Sequence, residues 1–119
     1  MPNYVGFLRG TEDAQTHLSP TEAQQTLERY IAWNEDLANT ANEVQTGGGL
    51  SAKGRVIRGQ NADLAVTDGP FVETSEILGG FIVITATDLD EAEKVFAGHP
   101  HLEFGSIEVR KIGEQGCEP

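Results

Sequence analysis

The segment that most constrains the fold is the run GGFIVITA at residues 79–86, which is apolar at both alternating sets of positions. Successive side chains of a β-strand point to opposite faces of the sheet. A strand that is apolar on both faces is typical of a central strand whose two faces are covered. The chain is therefore predicted to build a sheet around this run, with other elements packed on it.

Patterns elsewhere in the sequence supply those other elements. Strand-forming runs occur at residues 3–8, 55–58, 63–67 and 106–112, the middle two joined as a hairpin. A capping box at residues 19–22 begins a helix predicted to run to about Ala41, and residues 87–96 predict a second helix. The glycines at 47–49 suit a turn or the close approach of another backbone.

One stripe of the first helix is predicted to face the core. Asn34 lies near its middle, where a buried amide needs hydrogen-bond partners. A bond to a neighbouring backbone group and a position facing a pocket both fit the pattern. The stripe consists of Ala23, Leu27, Tyr30, Ile31, Asn34, Leu37, Ala38 and Ala41.

The order of these elements predicts a ferredoxin-like βαββαβ fold, an antiparallel sheet with both helices on one face. In 119 residues no element is left over to cover the opposite face. We therefore expect a homodimer in which two sheets close into a dimeric α+β barrel. A single domain is predicted over residues 1–112, followed by a flexible tail at 113–119.

Charge and composition narrow the classes of function. Nineteen acidic and eight basic residues give a formal net charge of −11, which disfavours binding to nucleic acid or to anionic membrane surfaces. The sequence contains no long apolar run and no signal-peptide pattern, so a cytoplasmic protein is predicted. Cys117, the only cysteine, is interpreted as an exposed bystander thiol in the polar tail.

Three segments carry a resemblance to a known family. The run TDGPFVETSEILGGF at 67–81, together with DLDEA at 88–92 and GSIEVR at 105–110, resembles the DGPF branch of the YCII-related family. The resemblance implies a bacterial protein, a dimeric α+β barrel, and an active or ligand site in a pocket between sheet and helices. It implies no cofactor. Association with an extracytoplasmic-function sigma factor is a further implication.

The sequence departs from the family pattern at two places. Ser75 stands where the DGPF pattern usually has lysine, which removes a cation that could bind an anionic ligand. The resemblance implies that the narrower YCII group uses an acid/base dyad, formed by a histidine on the first helix and an aspartate just before the proline that follows the second helix. We expect those positions to fall at Asn34 and His99, so the acid/base dyad is not preserved.

The acidic residues beside the DGP turn are the first candidates for chemistry. Asp68, Glu73 and Glu76 are predicted to form a carboxylate cluster, in which like-charge crowding raises one pKa and creates a general acid or base. Alternatively, Asp68 only stabilises the bend through an Asx turn.

Two further candidates lie later in the sequence. Arg110 shares a strand face with Glu108, where it forms a solvated pair or orients a carboxylate substrate. His99 is predicted to titrate near neutral pH. His99, His101 and Glu103 would share one side only if that segment were extended, and no metal site is predicted from them.

Three readings of the function remain open. The first is acid/base chemistry on a small organic molecule, in a pocket of the barrel and without a cofactor. The second is a non-catalytic ligand-binding or regulatory module linked to a sigma factor, and a purely structural dimer is a third reading. The catalytic candidates are Asp68, Glu73, Glu76, His99 and Arg110.

Overall fold

The computed structural model describes residues 1–11, 13–69 and 77–119. Two α-helices lie in this part of the chain, α1 over Pro20–Leu37 and α2 over Leu89–Phe96, with short 3-10 turns at Asn61–Asp63 and Pro100–Glu103. None of its helices is both long and apolar enough to cross a membrane. The strands are β1 (Asn3–Gly10), β2 (Val44–Gly49), β3 (Gly54–Arg58), β4 (Ala65–Gly69), β5 (Ile77–Thr85) and β6 (Gly105–Lys111).

Four strands form one antiparallel sheet in the order β2-β5-β1-β6. The strand predicted from the run at 79–86 is β5, and it lies between β2 and β1 as expected of a central strand. Strands β1 and β2 run in the same direction with β5 between them, and β5 and β6 do so with β1 between them. The two crossings through α1 and α2 are therefore the split βαβ units of the ferredoxin-like arrangement.

The predicted hairpin forms, but it does not belong to this sheet. Strands β3 and β4 pair with each other in a separate two-stranded sheet, and β2 takes the expected place beside β5. The glycines of β2 explain this, since a Cβ on Gly47 would lie 2.8 Å from the carbonyl oxygen of Phe81. A Cβ on Gly80 would lie 2.9 Å from the carbonyl oxygen of Gly48. The triple glycine permits a close approach of two backbones rather than a turn.

Helix α1 begins as predicted but presents a different face to the core. The Ser19 hydroxyl accepts a hydrogen bond from the Glu22 backbone N–H at 3.1 Å, and the Glu22 carboxylate accepts one from the Ser19 N–H at 3.0 Å. This capping box satisfies two amide groups that have no partner inside the helix. The helix ends at Leu37, before the predicted Ala41, and Asn39 then adopts a positive φ of 63°.

The buried side of α1 overlaps the predicted stripe at Tyr30 and Leu37 and differs from it elsewhere. Thr26 is buried and Tyr30, Trp33 and Leu37 are half-buried, whereas Asn34 is exposed. The apolar spacing of this helix fits either stripe, and Trp33 favours the observed one because a large ring buries more apolar surface than an aliphatic side chain does. Leu27 and Ile31, expected in the core, remain 52% and 46% exposed.

The core lies between the helices and one face of the sheet. Phe96 is its largest fully buried side chain and stacks on Trp33 with ring centroids 5.7 Å apart. Gly6 lies beneath that ring, since a Cβ there would come within 2.6 Å of Phe96. The other members of the buried cluster are Tyr4, Leu8, Ile82, Ile84, Ala86 and Ala92.

The helix-free face of the sheet is apolar at its centre. Val5 and Val83 are cross-strand partners there, and each is only 8% exposed. The C-terminal tail lines a groove with Val5 on this side, and the ion pair Lys111–Glu118, 2.7 Å long, closes the tail on itself. The chain thus supplies part of the cover that we expected from a second subunit alone. Cys117, in the tail, is a free and exposed thiol as predicted.

Candidate functional site

Three of the five catalytic candidates predicted from the sequence lie in the described residues, and they lie on different parts of the molecule. Asp68 lies on the β3–β4 hairpin, is 96% exposed and pairs with Arg55 at 3.8 Å. Arg110 lies on β6, 4.0 Å from Glu108, which alternates with the core-facing residues of that strand. His99 lies on the helix side of the sheet, and the structure does not bring these three together. The other two candidates, Glu73 and Glu76, fall outside the described residues.

His99 is buried between two aromatic rings at the end of α2. Its ring meets Tyr30 and Trp33 edge-on, with centroid distances of 4.9 and 4.6 Å. Its Nδ1 accepts a hydrogen bond from the His101 backbone N–H at 2.9 Å, so the neutral ring carries its proton on Nε2. Within the described part of the chain this buried Nε2 has no hydrogen-bond partner.

The surroundings of His99 correct the prediction that it titrates near neutral pH. Burial, with a smaller effect from the charge of nearby His101, lowers the pKa of His99 to about 4. A desolvated imidazole disfavours its charged form. His99 therefore stays neutral at physiological pH.

The possible metal ligands of this segment do not converge. Residues 100–103 form a 3-10 turn, so the extended geometry needed to align them is absent. Both oxygens of Glu103 are taken by the guanidinium of Arg29, at 2.6 and 2.9 Å. This interaction with Arg29 holds the pKa of Glu103 below its usual value. Nδ1 of His99 and both ring nitrogens of His101 make hydrogen bonds within the protein.

A pair of side chains that the sequence did not single out occupies the centre of this region. The Tyr30 hydroxyl lies 3.0 Å from Nδ1 of His101, and Nε2 of His101 lies 2.8 Å from the backbone carbonyl oxygen of Arg9. A carbonyl oxygen can only accept, so Nε2 carries the proton and Nδ1 accepts the Tyr30 O–H. Gln15 donates its side-chain N–H to the same hydroxyl at 3.3 Å.

The Tyr30 hydroxyl keeps its proton in this environment. Burial raises the pKa of Tyr30 above its usual value, while the Gln15 hydrogen bond and the charge of Arg29 act in the opposite direction. The hydroxyl is therefore a hydrogen-bond donor that has a base, His101, directly behind it. Such an arrangement can pass a proton on without a free tyrosinate, because a proton accepted at one side of the oxygen can be matched by one released to the imidazole.

A cavity of about 290 Å³ opens beside this pair, between the ends of β1 and β5 and helix α1. Tyr30 and His101 lie in its wall, and Thr11, Gln15 and Ser51 add further polar groups. None of its described lining residues is Asp, Glu, Lys or Arg. The remaining lining residues are small or apolar: Leu8, Gly10, Ala14, Leu50, Ala52, Ile77, Leu78 and Gly79.

The sequence contained a signal for this pair. The spacing i, i+4, i+7 and i+11 places four residues on a single helix face: Thr26, Tyr30, Trp33 and Leu37. The Tyr30 hydroxyl on such a face is a polar group that needs a hydrogen-bond partner when the face is buried. The family-based register instead pointed to Asn34, one turn further along and exposed to solvent.

Fold and cavity together define an α+β protein with a pocket on the helix side of a ferredoxin-like sheet. The model of the YCII-related domain matches residues 4–115, and the chain belongs to the YCII-related family. This confirms the family inferred from the sequence, while membership of the DGPF branch stays a prediction. No curated protein gives a significant match.

A solved structure with a similar fold is 5-chloro-2-hydroxyhydroquinone dehydrochlorinase (TftG) from Burkholderia phenoliruptrix AC1100, in complex with 2,5-dihydroxybenzoquinone. The superposition has a TM-score of 0.52, covers 97% of this chain and 99% of that chain, and aligns residues with 15% identity. At this identity the likeness shows a shared fold alone.

Proposed function

We propose that the protein transfers protons to and from a small organic molecule bound in the cavity beside Tyr30 and His101. The observation that carries this proposal is the hydrogen-bond chain from Tyr30 through His101 to the Arg9 carbonyl oxygen, which begins in the cavity wall. Such a chain has the parts of a general acid/base system: a group that meets the substrate, a base, and an acceptor that orients the base.

The transfer proceeds in two linked movements. A hydroxyl of the bound molecule gives its proton to Oη of Tyr30, while Tyr30 gives its own proton to Nδ1 of His101. The imidazolium so formed is stabilised by the Arg9 carbonyl oxygen, which accepts from Nε2. The electron pair left on the substrate oxygen is delocalised into the ring, and a ring carbon takes up a proton from solvent. The imidazolium then returns its proton to Tyr30, whose hydroxyl passes one to solvent. No proton is gained or lost over the cycle, so the net change is a tautomerisation of the substrate.

The lining of the cavity supports a class of substrate. Its walls are mostly apolar, and its described residues include no side chain with a fixed charge to pair with a carboxylate or phosphate. At about 290 Å³ the cavity is at the lower end of the range for small-molecule sites. A single uncharged ring that carries hydroxyl or carbonyl groups fits these properties. The dihydroxybenzoquinone bound to the dehydrochlorinase of similar fold supports testing this class first.

The experiment compares two tyrosine variants. Hydroxylated benzenes and quinones are incubated with the protein in D₂O, and exchange of their ring hydrogens is followed by proton NMR. Tyr30→Phe removes the hydroxyl that begins the relay and is expected to slow exchange by about 10²-fold or more. Tyr4→Phe, the change at the other tyrosine of the chain, lies in the core and is expected to keep the exchange rate. Equal rates for Tyr30→Phe and wild type would exclude the relay.

The second candidate function is binding of the same class of ligand without turnover. The hydrogen bond from Tyr30 to His101 favours it, because the Tyr30 oxygen can still accept a hydrogen bond from a ligand hydroxyl without any transfer of a proton. Calorimetry and the NMR experiment together separate the two functions. A binding module binds the ring compound in calorimetry and loses affinity in Tyr30→Phe, but shows no exchange of ring hydrogens by NMR.

A further inference from the structure

The β3–β4 hairpin with the residue before it, residues 53–69, projects from the rest of the molecule, and we refer to it as the arm. The radius of gyration of the chain is 16.3 Å. A compact domain of this length is expected to have about 13.5 Å. Along the arm only Val56 is half-buried, and every other residue whose burial is described is exposed. An isolated two-stranded ribbon is marginally stable in water, so an arm of this kind is expected to pack on another surface.

The arm carries apolar side chains that its own chain leaves uncovered. Ile57 and Val66 are direct cross-strand partners, which puts them on one face of the ribbon, and they are 67% and 51% exposed. Leu64, in the connection between the strands, is 54% exposed. A cluster of exposed large aliphatic side chains is typical of an interaction surface.

The charge of the arm is opposite to that of the remaining residues. The arm has a formal net charge of +1, from the basic residues Lys53, Arg55 and Arg58 and the acidic residues Asp63 and Asp68. The whole chain has a net charge of −11, so the rest of the chain carries −12. Two arms therefore repel each other, whereas an arm is attracted to the acidic surface of a second copy.

The outer side of α1 offers a surface of matching chemistry. Leu27 and Ile31 are one helical turn apart and are 52% and 46% exposed. Glu28 and Glu35, both exposed, are the i−3 and i+4 neighbours of Ile31. This strip, which we call the α1 strip, combines apolar side chains with acidic ones, as the arm combines apolar side chains with basic ones.

We propose that the arm of one copy packs on the α1 strip of a second copy, with Ile57 and Val66 against Leu27 and Ile31. Within one chain both surfaces remain exposed, so the arm does not cover the α1 strip of its own molecule. With two-fold symmetry, the arm of each copy packs on the α1 strip of the other copy. The dimer then contains two such contacts, and each buries apolar side chains and brings basic residues of the arm close to acidic residues of the α1 strip. This contact is independent of the helix-free face of the sheet and of the proposed function.

Cross-linking of single-cysteine chains tests the contact directly. On a full-length Cys117→Ser background, one tagged chain carries Ile57→Cys and an untagged chain carries Ile31→Cys. Mild oxidation of the mixture is expected to link tagged to untagged chains. Leu89→Cys, at the start of α2 and 53% exposed, replaces Ile31→Cys as the matched control and is expected to give no link above background. Absence of the Ile57–Ile31 link would overturn the proposal, as would a link that forms only inside one chain carrying both cysteines.

Charge exchange gives a second and independent test. Lys53→Glu with Arg55→Glu reverses the arm, and Glu28→Lys with Glu35→Lys reverses the α1 strip. Each double variant alone is expected to cross-link at least about tenfold less through the positions above, because like charges then meet. Mixing the two double variants restores opposite charges at both contacts and is expected to restore the link. If the mixture stays as weak as its components, charge complementarity does not hold the arm, and the proposal fails.

Discussion

The helix side of the sheet and the β3–β4 arm contain similar β-branched and aliphatic side chains but bury them to very different degrees. Ile84 of β5 is fully buried, whereas Ile57 of β3 is 67% exposed. Both strands are paired in antiparallel ladders, so strand pairing does not account for the difference. Of these two strands, β5 has a paired strand on each side and helix side chains packed on its face, whereas β3 pairs with β4 alone. A strand-forming pattern thus determines pairing, and burial depends on a third element.

The largest expected effect separates the two regions by stability. Phe96→Ala leaves a cavity between Trp33 and Gly6 and is expected to lower the free energy of unfolding by about 3 to 5 kcal/mol. Ile57→Ala, in the arm, is expected to change it by less than about 0.5 kcal/mol in dilute solution. Urea unfolding at low protein concentration measures both. Equal losses would mean that the arm is part of the core, and the comparison would fail.

A smaller effect arises from the buried imidazole on the helix side. The pKa of His99 falls from its usual 6.5 to about 4 in the folded protein. The unfolded chain therefore takes up a proton at this site below about pH 6.5 that the folded protein does not accept. Stability is expected to decrease by about 3 kcal/mol as the pH falls from 6.5 to 4, and this contribution levels off below pH 4.

Two histidine variants isolate this contribution from that of the carboxylates. His99→Asn keeps an acceptor for the His101 N–H and is expected to remove the His99 part of the pH dependence. His17→Asn changes an exposed histidine and is expected to leave the profile as in wild type. Unfolding free energies between pH 4 and 7 are compared, and an unchanged slope in His99→Asn would contradict the assignment.

The smallest effect concerns the arm. Asp68 is 96% exposed and 3.8 Å from Arg55, a geometry in which ion pairs contribute little. Asp68→Asn is expected to keep both the urea midpoint and the affinity for ring compounds within the error of measurement. A clear loss of affinity would instead show that the arm reaches the cavity, and would support the predicted carboxylate cluster around Asp68.

Much of the fold followed from local pattern. The capping box at Ser19, the central strand at 79–86 and the helix after Asp88 all occur where the sequence placed them, because caps and two-sided apolar runs act over a few residues. The position of the hairpin did not follow. It depended on whether Gly47 and its neighbours could approach β5 more closely than any residue with a Cβ, which is a contact between distant segments.

The site was harder to predict than the fold for a similar reason. His99 was recognised as a residue of interest, but its burial between Tyr30 and Trp33, which sets its pKa, depends on how α1 rotates over the sheet. Tyr30 and His101 are 71 positions apart, and their hydrogen bond exists only after that rotation is set. The homodimer expected from the helix-free face stays a prediction.

The sequence by itself determined most of the elements, the family, the acidic character and the two-sided central strand, since these depend on composition and on neighbours along the chain. Strand β2 was the element that it missed. The tertiary structure decided which face of α1 is buried, which strand stands beside β5 and which side chains share the cavity. Those outcomes depend on packing between residues far apart in sequence. Because Trp33 can bury more apolar surface than Leu27 or Ile31, the packed helix turned Trp33 inward beside Tyr30 and created the site.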